Sequence, residues 1–375
     1  MATKFRLFTT RFFLFANIIA VIIFLFACLA PYLDPEKWWF FTLLGFAFPF
    51  LLVILLVFAV WWLFIQKKLA LISVIALLIG IKSISVFFAF HFTTAFKPQK
   101  DKGSIRIVSW NVARFVELMK NNNKGSQTRL RMMEQLEQQN ADVLCLQEFE
   151  SSTLPNYYNN IYHINKRLKY PFFYFIYDTD GDGHYYSSII FSRYPILDSG
   201  FVRFPRPSNP EVLLFADIKT EQDTIRIYTT HLQSLHFKKN DYDMVSKIKR
   251  ADDSLLSNSR TIFSKLKTGI INRRLQADIV AKIMDDSPYP RLFCADMNDI
   301  PNSYAYYTVR GDMQDAFLKK GFGIGRTFSA ISPTLRIDYI FADENFEINQ
   351  FKRVVRNYSD HYMLVADISL KKHKP

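Results

Sequence analysis

A chain of 375 residues, half of them apolar and 16% aromatic, has room for two domain-sized parts, and its 37 phenylalanines are too many for a wholly water-exposed protein. The net charge of +13 is unevenly placed: residues 1–102 hold 10 Lys/Arg against 3 Asp/Glu, and the remainder 37 against 31. The mildly basic second part suits an anionic partner such as a phospholipid surface or a nucleic acid, and no lysine-rich arm accompanies it.

Three apolar runs open the chain, about Phe12 to Pro31, Phe40 to Ile65 and Leu69 to Phe92. Each is long enough to cross the ~30 Å hydrocarbon layer as a helix. A signal peptide has one short apolar region, and buried core helices seldom run so far without charge, so three transmembrane helices are expected. Lys82, inside the third run, reads as a snorkelling or helix-facing residue. Lys4, Arg6 and Arg11 precede the first run, and Lys67 and Lys68 lie between the second and third. By the positive-inside rule the N-terminus is then cytoplasmic, and everything after the third crossing is extracytoplasmic. The expected organisation is a membrane domain over 1–95, a linker over 96–103 and a second domain over 104–375. Cys28 falls in an apolar run, while Cys145 and Cys294 sit in strand-like segments. The latter two read as small buried hydrophobes, and the three show no disulfide or zinc spacing.

From Ser104 onward, short β-branched and aromatic runs dominate: "IRIVSWNV", "ADVLCLQEF", "SSIIFSRYPI", "EVLLFADIK", "TIRIYTTHL", "RLFCADMN", "RIDYIFA" and "MLVADISL". Helical spacing appears between them in "QTRLRMMEQLEQQN" and "NRRLQADIVAKIMDD", which argues for an α/β sandwich. Residues 236–272 are charged and weakly periodic, and read as a helical insertion. It is either solvated or a lid or membrane-surface contact, because basic and apolar residues interleave there.

Several of these strands end on polar groups: Asn111, Glu148, His231, Asp296 with Asn298, Asp338, and Asp360 with His361 before the last strand. One such ending is unremarkable. Six drawn from the same residue types are expected to converge at one edge, held by a rigid core because catalysis needs them fixed. Oxygen donors without cysteine suit a hard cation. Glu148 is the natural anchor, with Asn111 beside it, for Mg²⁺, with Mn²⁺ a possible substitute. The histidines, Asn298 and the remaining acids can hold a phosphate and activate a water. Singly, His231 also reads as a core histidine and Asp338 as a partner for Arg336.

"SWNV", "LQE", "SRYPI", "THL", "ADMN", "RIDYIF" and "SDH", in this order, resemble the endonuclease/exonuclease/phosphatase superfamily of Mg²⁺-dependent phosphohydrolases, over residues 104–370. The resemblance implies a four-layer α/β/β/α sandwich of two packed mixed sheets. It also implies roles. Glu148 binds the metal, Asn111 supports it and Asp360 lies close by; His231 and Asn298 contact the scissile phosphate. Asp296 orients the attacking water, and His361, its ring fixed by Asp338, acts as general base or transition-state stabiliser. Which of Asp296 and His361 takes the water's proton stays open. Ala295 and Met297 replace the Gly and Phe often seen around the Asp, without touching the chemical positions. Ala113 stands where some relatives carry an acid, removing a possible second-metal ligand. The Trp-Asp-Arg signature of inositol 5-phosphatases is absent.

For substrate, the apolar helices and "THLQS" favour a lipid phosphodiester, as in neutral sphingomyelinases. The charge balance also tolerates DNA, though no stacked aromatic-basic array argues for it. A catalytically dead, membrane-tethered binding protein is disfavoured because the ligand set is intact. No protein partner is inferable.

Overall fold

The computed structural model describes residues 2–92, 95–179, 183–205, 211–235 and 255–371. It divides into two compact units: residues 1–88 with 300–307, and residues 89–299 with 308–375.

In the first unit, α1 (Ala2–Leu29) and α2 (Pro35–Ile65) are each long and apolar enough to span a bilayer. Asp34 starts α2 by accepting a hydrogen bond from the Glu36 amide, and Pro35 takes the first helical position, where no amide donor is needed. The third apolar run differs from the single helix expected. It is broken into α3 (Lys67–Ile79) and α4 (Ile81–Phe87), bent by 63°. The unit therefore has two helices of spanning length, and three crossings only if the bent pair counts as one. The break lies at Gly80, where a Cβ would stand 2.6 Å from the Phe24 ring of α1, so only glycine admits that approach. Within the same unit Asn302 Nδ2 donates to the Ala27 carbonyl at 2.9 Å. Lys82 lies over the rings of Tyr32 and Tyr307 at 5.2 and 5.6 Å, a cation–π arrangement.

The second unit is built on two six-stranded sheets. Numbered along the chain, the strands are β1 (Ala89–Phe90), β2 (Ile105–Asn111), β3 (Val143–Ser152), β4 (Phe172–Tyr174), β5 (His184–Ser192), β6 (Ile196–Arg203), β7 (Val212–Lys219), β8 (Thr224–His231), β9 (Arg291–Asp296), β10 (Gln314–Asp315), β11 (Phe322–Gly323), β12 (Asp338–Ala342), β13 (Phe346–Val354) and β14 (Met363–Leu370). One sheet runs β13-β14-β2-β3-β5-β4, the other β10-β12-β9-β8-β7-β6, and β1 pairs only with β11. In each large sheet one central pair is parallel, β2 with β3 and β8 with β9, and its other pairs are antiparallel.

Side-chain alternation assembles the layers. Ile105, Ile107, Val143 and Cys145 of one sheet meet Ile225, Ile227, Leu292 and Cys294 of the other in one buried cluster. The opposite face of the first sheet, with Val108, Trp110, Leu144 and Leu146, is covered by Met132, Met133 and Leu136 of α5 (Thr128–Gln139). Fully burying a side chain of this size contributes about 1.5–3 kcal/mol. On the second sheet the Tyr228 hydroxyl reaches the Ile283 carbonyl of α6 (Leu255–Asp285) at 3.4 Å. Helix, sheet, sheet and helix thus stack as the four layers expected. Residues 255–272 of the expected insertion form the first half of α6; residues 236–254 lie outside the described residues.

This topology decides where the polar strand ends go. Parallel β2 and β3 both point their C-terminal ends the same way, with Asn111 beside Gln147. In the other sheet His231 pairs in register with Asp296, and Asp338 opens antiparallel β12 opposite Asp296. β14 is antiparallel to β2, so the residues just before it, His361 among them, fall at the Asn111 end.

Candidate active site

Asn111 is the hinge of the constellation. Its Nδ2 donates to Glu148 Oε1 at 3.0 Å and to Asp296 Oδ2 at 2.9 Å, while its Oδ1 accepts the Ala113 amide at 3.0 Å. The Ser359 hydroxyl holds the Asn111 carbonyl at 2.8 Å. Asn111 therefore orients the two carboxylates through its donors.

Glu148 leaves the strand alternation through a bulge in the β3–β5 register between Leu146 and Phe149, and takes a left-handed φ of 46°. A bulge re-aims a side chain, and a non-glycine residue in that region costs of order 1–3 kcal/mol. The result is a carboxylate 28% exposed beside Asp296, which is fully buried. Asn298 also has a left-handed φ, 50°, with its amide donated to Asp296 Oδ1 at 2.9 Å. Its Nδ2 donates to the Leu232 carbonyl at 3.0 Å and lies 2.9 Å from His231 Nε2. His231 Nε2 stands 3.6 Å from both Glu148 and Asp296.

His361 completes the group. Its Nδ1 is 3.0 Å from both oxygens of Asp338, and its Nε2 is 3.6 Å from Asp296 Oδ2. Trp110 Nε1 fixes the His361 carbonyl at 3.0 Å, and the Thr327 hydroxyl accepts the Asp338 amide at 3.1 Å. Burial alone favours the neutral His361 ring, but the carboxylates of Asp338 and Asp296 outweigh it and raise its pKa to about 10. Burial likewise opposes charge on His231, and Asp296, Glu148 and Glu211 reverse the sign, leaving its pKa raised.

The expected residues thus gather at one edge, except Asp360. Its side chain is exposed, accepts the Ser359 hydroxyl at 3.3 Å, and reaches the site as a charge felt by His361. Ligand atoms of Asp296, Asp338 and His361 lie within 4.8 Å of one another, a spacing that could hold a metal ion. Because His361 Nδ1 is committed to Asp338, we read that trio as a histidine–carboxylate dyad beside Asp296. The part-exposed donor for a hard cation is the Glu148 carboxylate, an oxygen ligand of the kind that fits a divalent metal, and Asp296 beside it is fully buried.

Three contributors carried no separate sequence signal. Gln147 is fully buried between the sheets; its Nε2 donates to Thr229 Oγ1 at 3.0 Å and to the Cys294 carbonyl at 3.3 Å. Glu211 places Oε1 3.9 Å from His231 Nδ1, its pKa raised by burial. Arg114 lies 4.3 Å over the Tyr186 ring and 3.6 Å from Glu150. It belongs to four consecutive left-handed residues, Ala113 to Val116, with φ of 44°, 57°, 58° and 64°. Each costs roughly 1–2 kcal/mol for an L-residue. Glu211 directly precedes β7, where a single acid beside an apolar strand does not stand out in the sequence.

Residues 10–87 match the family described as Domain of unknown function (DUF8431). No curated protein matches the sequence. Among solved structures, D. rerio TDP2 humanized by 14 mutations is 18% identical with a TM-score of 0.50, covering 72% of this chain and all of that one. An endonuclease/exonuclease/phosphatase from Beutenbergia cavernae is 16% identical, TM-score 0.49, over 72% of each chain. The human Nocturnin catalytic domain is 16% identical, TM-score 0.49, over 72% of this chain and 94% of that one. At these identities the likeness concerns fold. The sequence itself matches the Endonuclease/Exonuclease/phosphatase family over residues 108–361, most of the chain, and the protein belongs to that family of phosphate-ester hydrolases.

Proposed function

We propose that this is a membrane-anchored, Mg²⁺-dependent phosphodiesterase whose substrate is a lipid head group. One observation carries the hydrolytic part: Glu148, Asp296, Asn111, His231, Asn298, His361 and Asp338 form a single connected network at one sheet edge. The helices of spanning length support the lipid part, since a tethered catalytic unit meets head groups at high effective concentration.

Glu148, oriented by Asn111, would hold the ion, which when bound neutralises charge on a phosphate oxygen and on the leaving oxygen. His231 and Asn298 Nδ2 hold a non-bridging phosphate oxygen. Asp296 accepts the proton of the attacking water, and the water oxygen forms the new P–O bond as the ester P–O bond breaks. His361, a cation at neutral pH by virtue of Asp338 and Asp296, stabilises the extra charge of the transition state. This assigns the base role to Asp296, because a histidine that already holds its proton cannot take another.

With the bent α3–α4 pair as the third crossing, the basic N-terminal segment is cytoplasmic and the catalytic unit extracytoplasmic. The membrane part then occupies about residues 1–95 and the catalytic part 104–375. The deciding experiment incubates the detergent-solubilised full chain with Mg²⁺ and, in parallel, sphingomyelin or phosphatidyl lipids, plasmid DNA and a phosphomonoester panel. Release of a phosphorylated head group supports the reading, and cleavage of DNA alone overturns it.

A further inference from the structure

Resting on the hydrolase reading above, the geometry points to a bilayer-docking surface at the catalytic mouth, formed by the loop after β2 and the loop after β3. These loops grow from the strands that carry Asn111 and Glu148. They join as one surface: Met119 bridges Tyr157, and the Lys120 amide donates to the Asn156 carbonyl at 2.8 Å.

Strain and exposure coincide here. In the left-handed run Ala113–Val116, Phe115 is fully buried against Phe149 at 5.7 Å, and the Ala113 amide is held by Asn111. The Val116 amide donates to the Ala113 carbonyl at 2.9 Å, but its side chain is not buried. The residue is β-branched, the least tolerant type for that region, and its side chain is 55% exposed. Leu118, Met119 and Leu154 follow at 38%, 57% and 37% exposed. Four aliphatic side chains on two paired loops, two of them more than half exposed, present apolar surface beside the site, as an interaction surface does.

Charge selects the occupant. Lys120 and Lys124 flank the tips and are exposed, Arg114 pairs with Glu150 at 3.6 Å, and Glu117 turns inward to cap the Thr128 amide at 2.7 Å. Aliphatic tips with a basic border match interfacial insertion into an anionic phospholipid surface. A single-stranded nucleic-acid surface would present stacked aromatics instead.

The test uses the full chain in nanodiscs, with Cys28→Ser and Met119→Cys and an environment-sensitive fluorophore on the new thiol. In discs containing about one third phosphatidylglycerol, the probe should shift to the blue and be quenched at least ~2-fold by acyl-brominated lipid, and less so in phosphatidylcholine alone. The same label on exposed Glu347→Cys should stay unquenched. Adding Val116→Gly, which relieves the strained backbone, should preserve or raise the melting temperature while reducing quenching, and hydrolysis of soluble bis(p-nitrophenyl) phosphate should be unchanged. Water-like emission from position 119 in both lipids overturns the proposal, as does a probe response to duplex DNA and not to anionic lipid. If the soluble ester is never hydrolysed, the hydrolase reading fails, and the quenching result still decides docking.

Discussion

His361 Nδ1 is gripped by both carboxylate oxygens of Asp338 at 3.0 Å, while the other side of its ring faces Asp296 at 3.6 Å. A raised pKa favours the protonated ring. Its stabilising contribution is complete below the unfolded value near 6.5 and is lost as pH rises through about 10. Activity that needs the cation should follow the same sign, level through neutral pH and falling on the alkaline side. Asp338→Asn removes the larger raising charge and should move that alkaline limb to lower pH, with kcat reduced about 10²–10⁴-fold. A pH–rate profile of both proteins checks this. An acidic limb near pH 6 to 7 in the wild type, the mark of a neutral imidazole acting as base, would refute it.

Gln147 ties the sheets together beneath the site through Thr229 and Cys294. Gln147→Met keeps the volume and strands those partners. It should destabilise the catalytic unit by about 1–3 kcal/mol, read by denaturant unfolding.

Gly80 is required by the approach of Phe24, whose ring atoms lie 2.6 Å from where a Cβ would stand. Gly80→Ala should therefore lower the melting temperature of the detergent-solubilised chain, at a cost of about 1–3 kcal/mol. An alanine that stabilises, as it does in an unconstrained helix, would show that the bend is not locked by this contact.

Membrane sidedness turns on the same bend. If α3 and α4 together complete a crossing, protease added to intact cells reaches exposed loops of the catalytic unit. Full protection in intact cells, with digestion only after lysis, would mean two crossings and a cytoplasmic catalytic unit.

The sandwich was legible because β2, β8 and β9 are apolar runs that stop on a polar residue, while β12 and β14 are apolar runs that start at one; two parallel pairs and the antiparallel pairing of β12 and β14 bring those ends together. Edge strand β13 was not, because its sequence "FEINQFKRV" leaves several side chains in water and blurs the apolar run. Gln147 escaped for another reason. The bulge that turns Glu148 outward is a backbone event, and it buries a neighbouring amide that looks like any other polar residue at a strand end. The third apolar run hid its break because hydropathy counts side chains and not the contact that Gly80 makes. Asp360 is adjacent to His361 in sequence, but its side chain is exposed, and it acts on the site as a charge felt by His361.

The most direct test of the account is the turnover of bis(p-nitrophenyl) phosphate by the purified full chain and by Glu148→Gln, each with Mg²⁺ and after chelation. Mg²⁺-dependent hydrolysis is expected, lowered by Glu148→Gln by about 10³-fold or more at an unchanged melting temperature. Hydrolysis that survives both chelation and the substitution would contradict it.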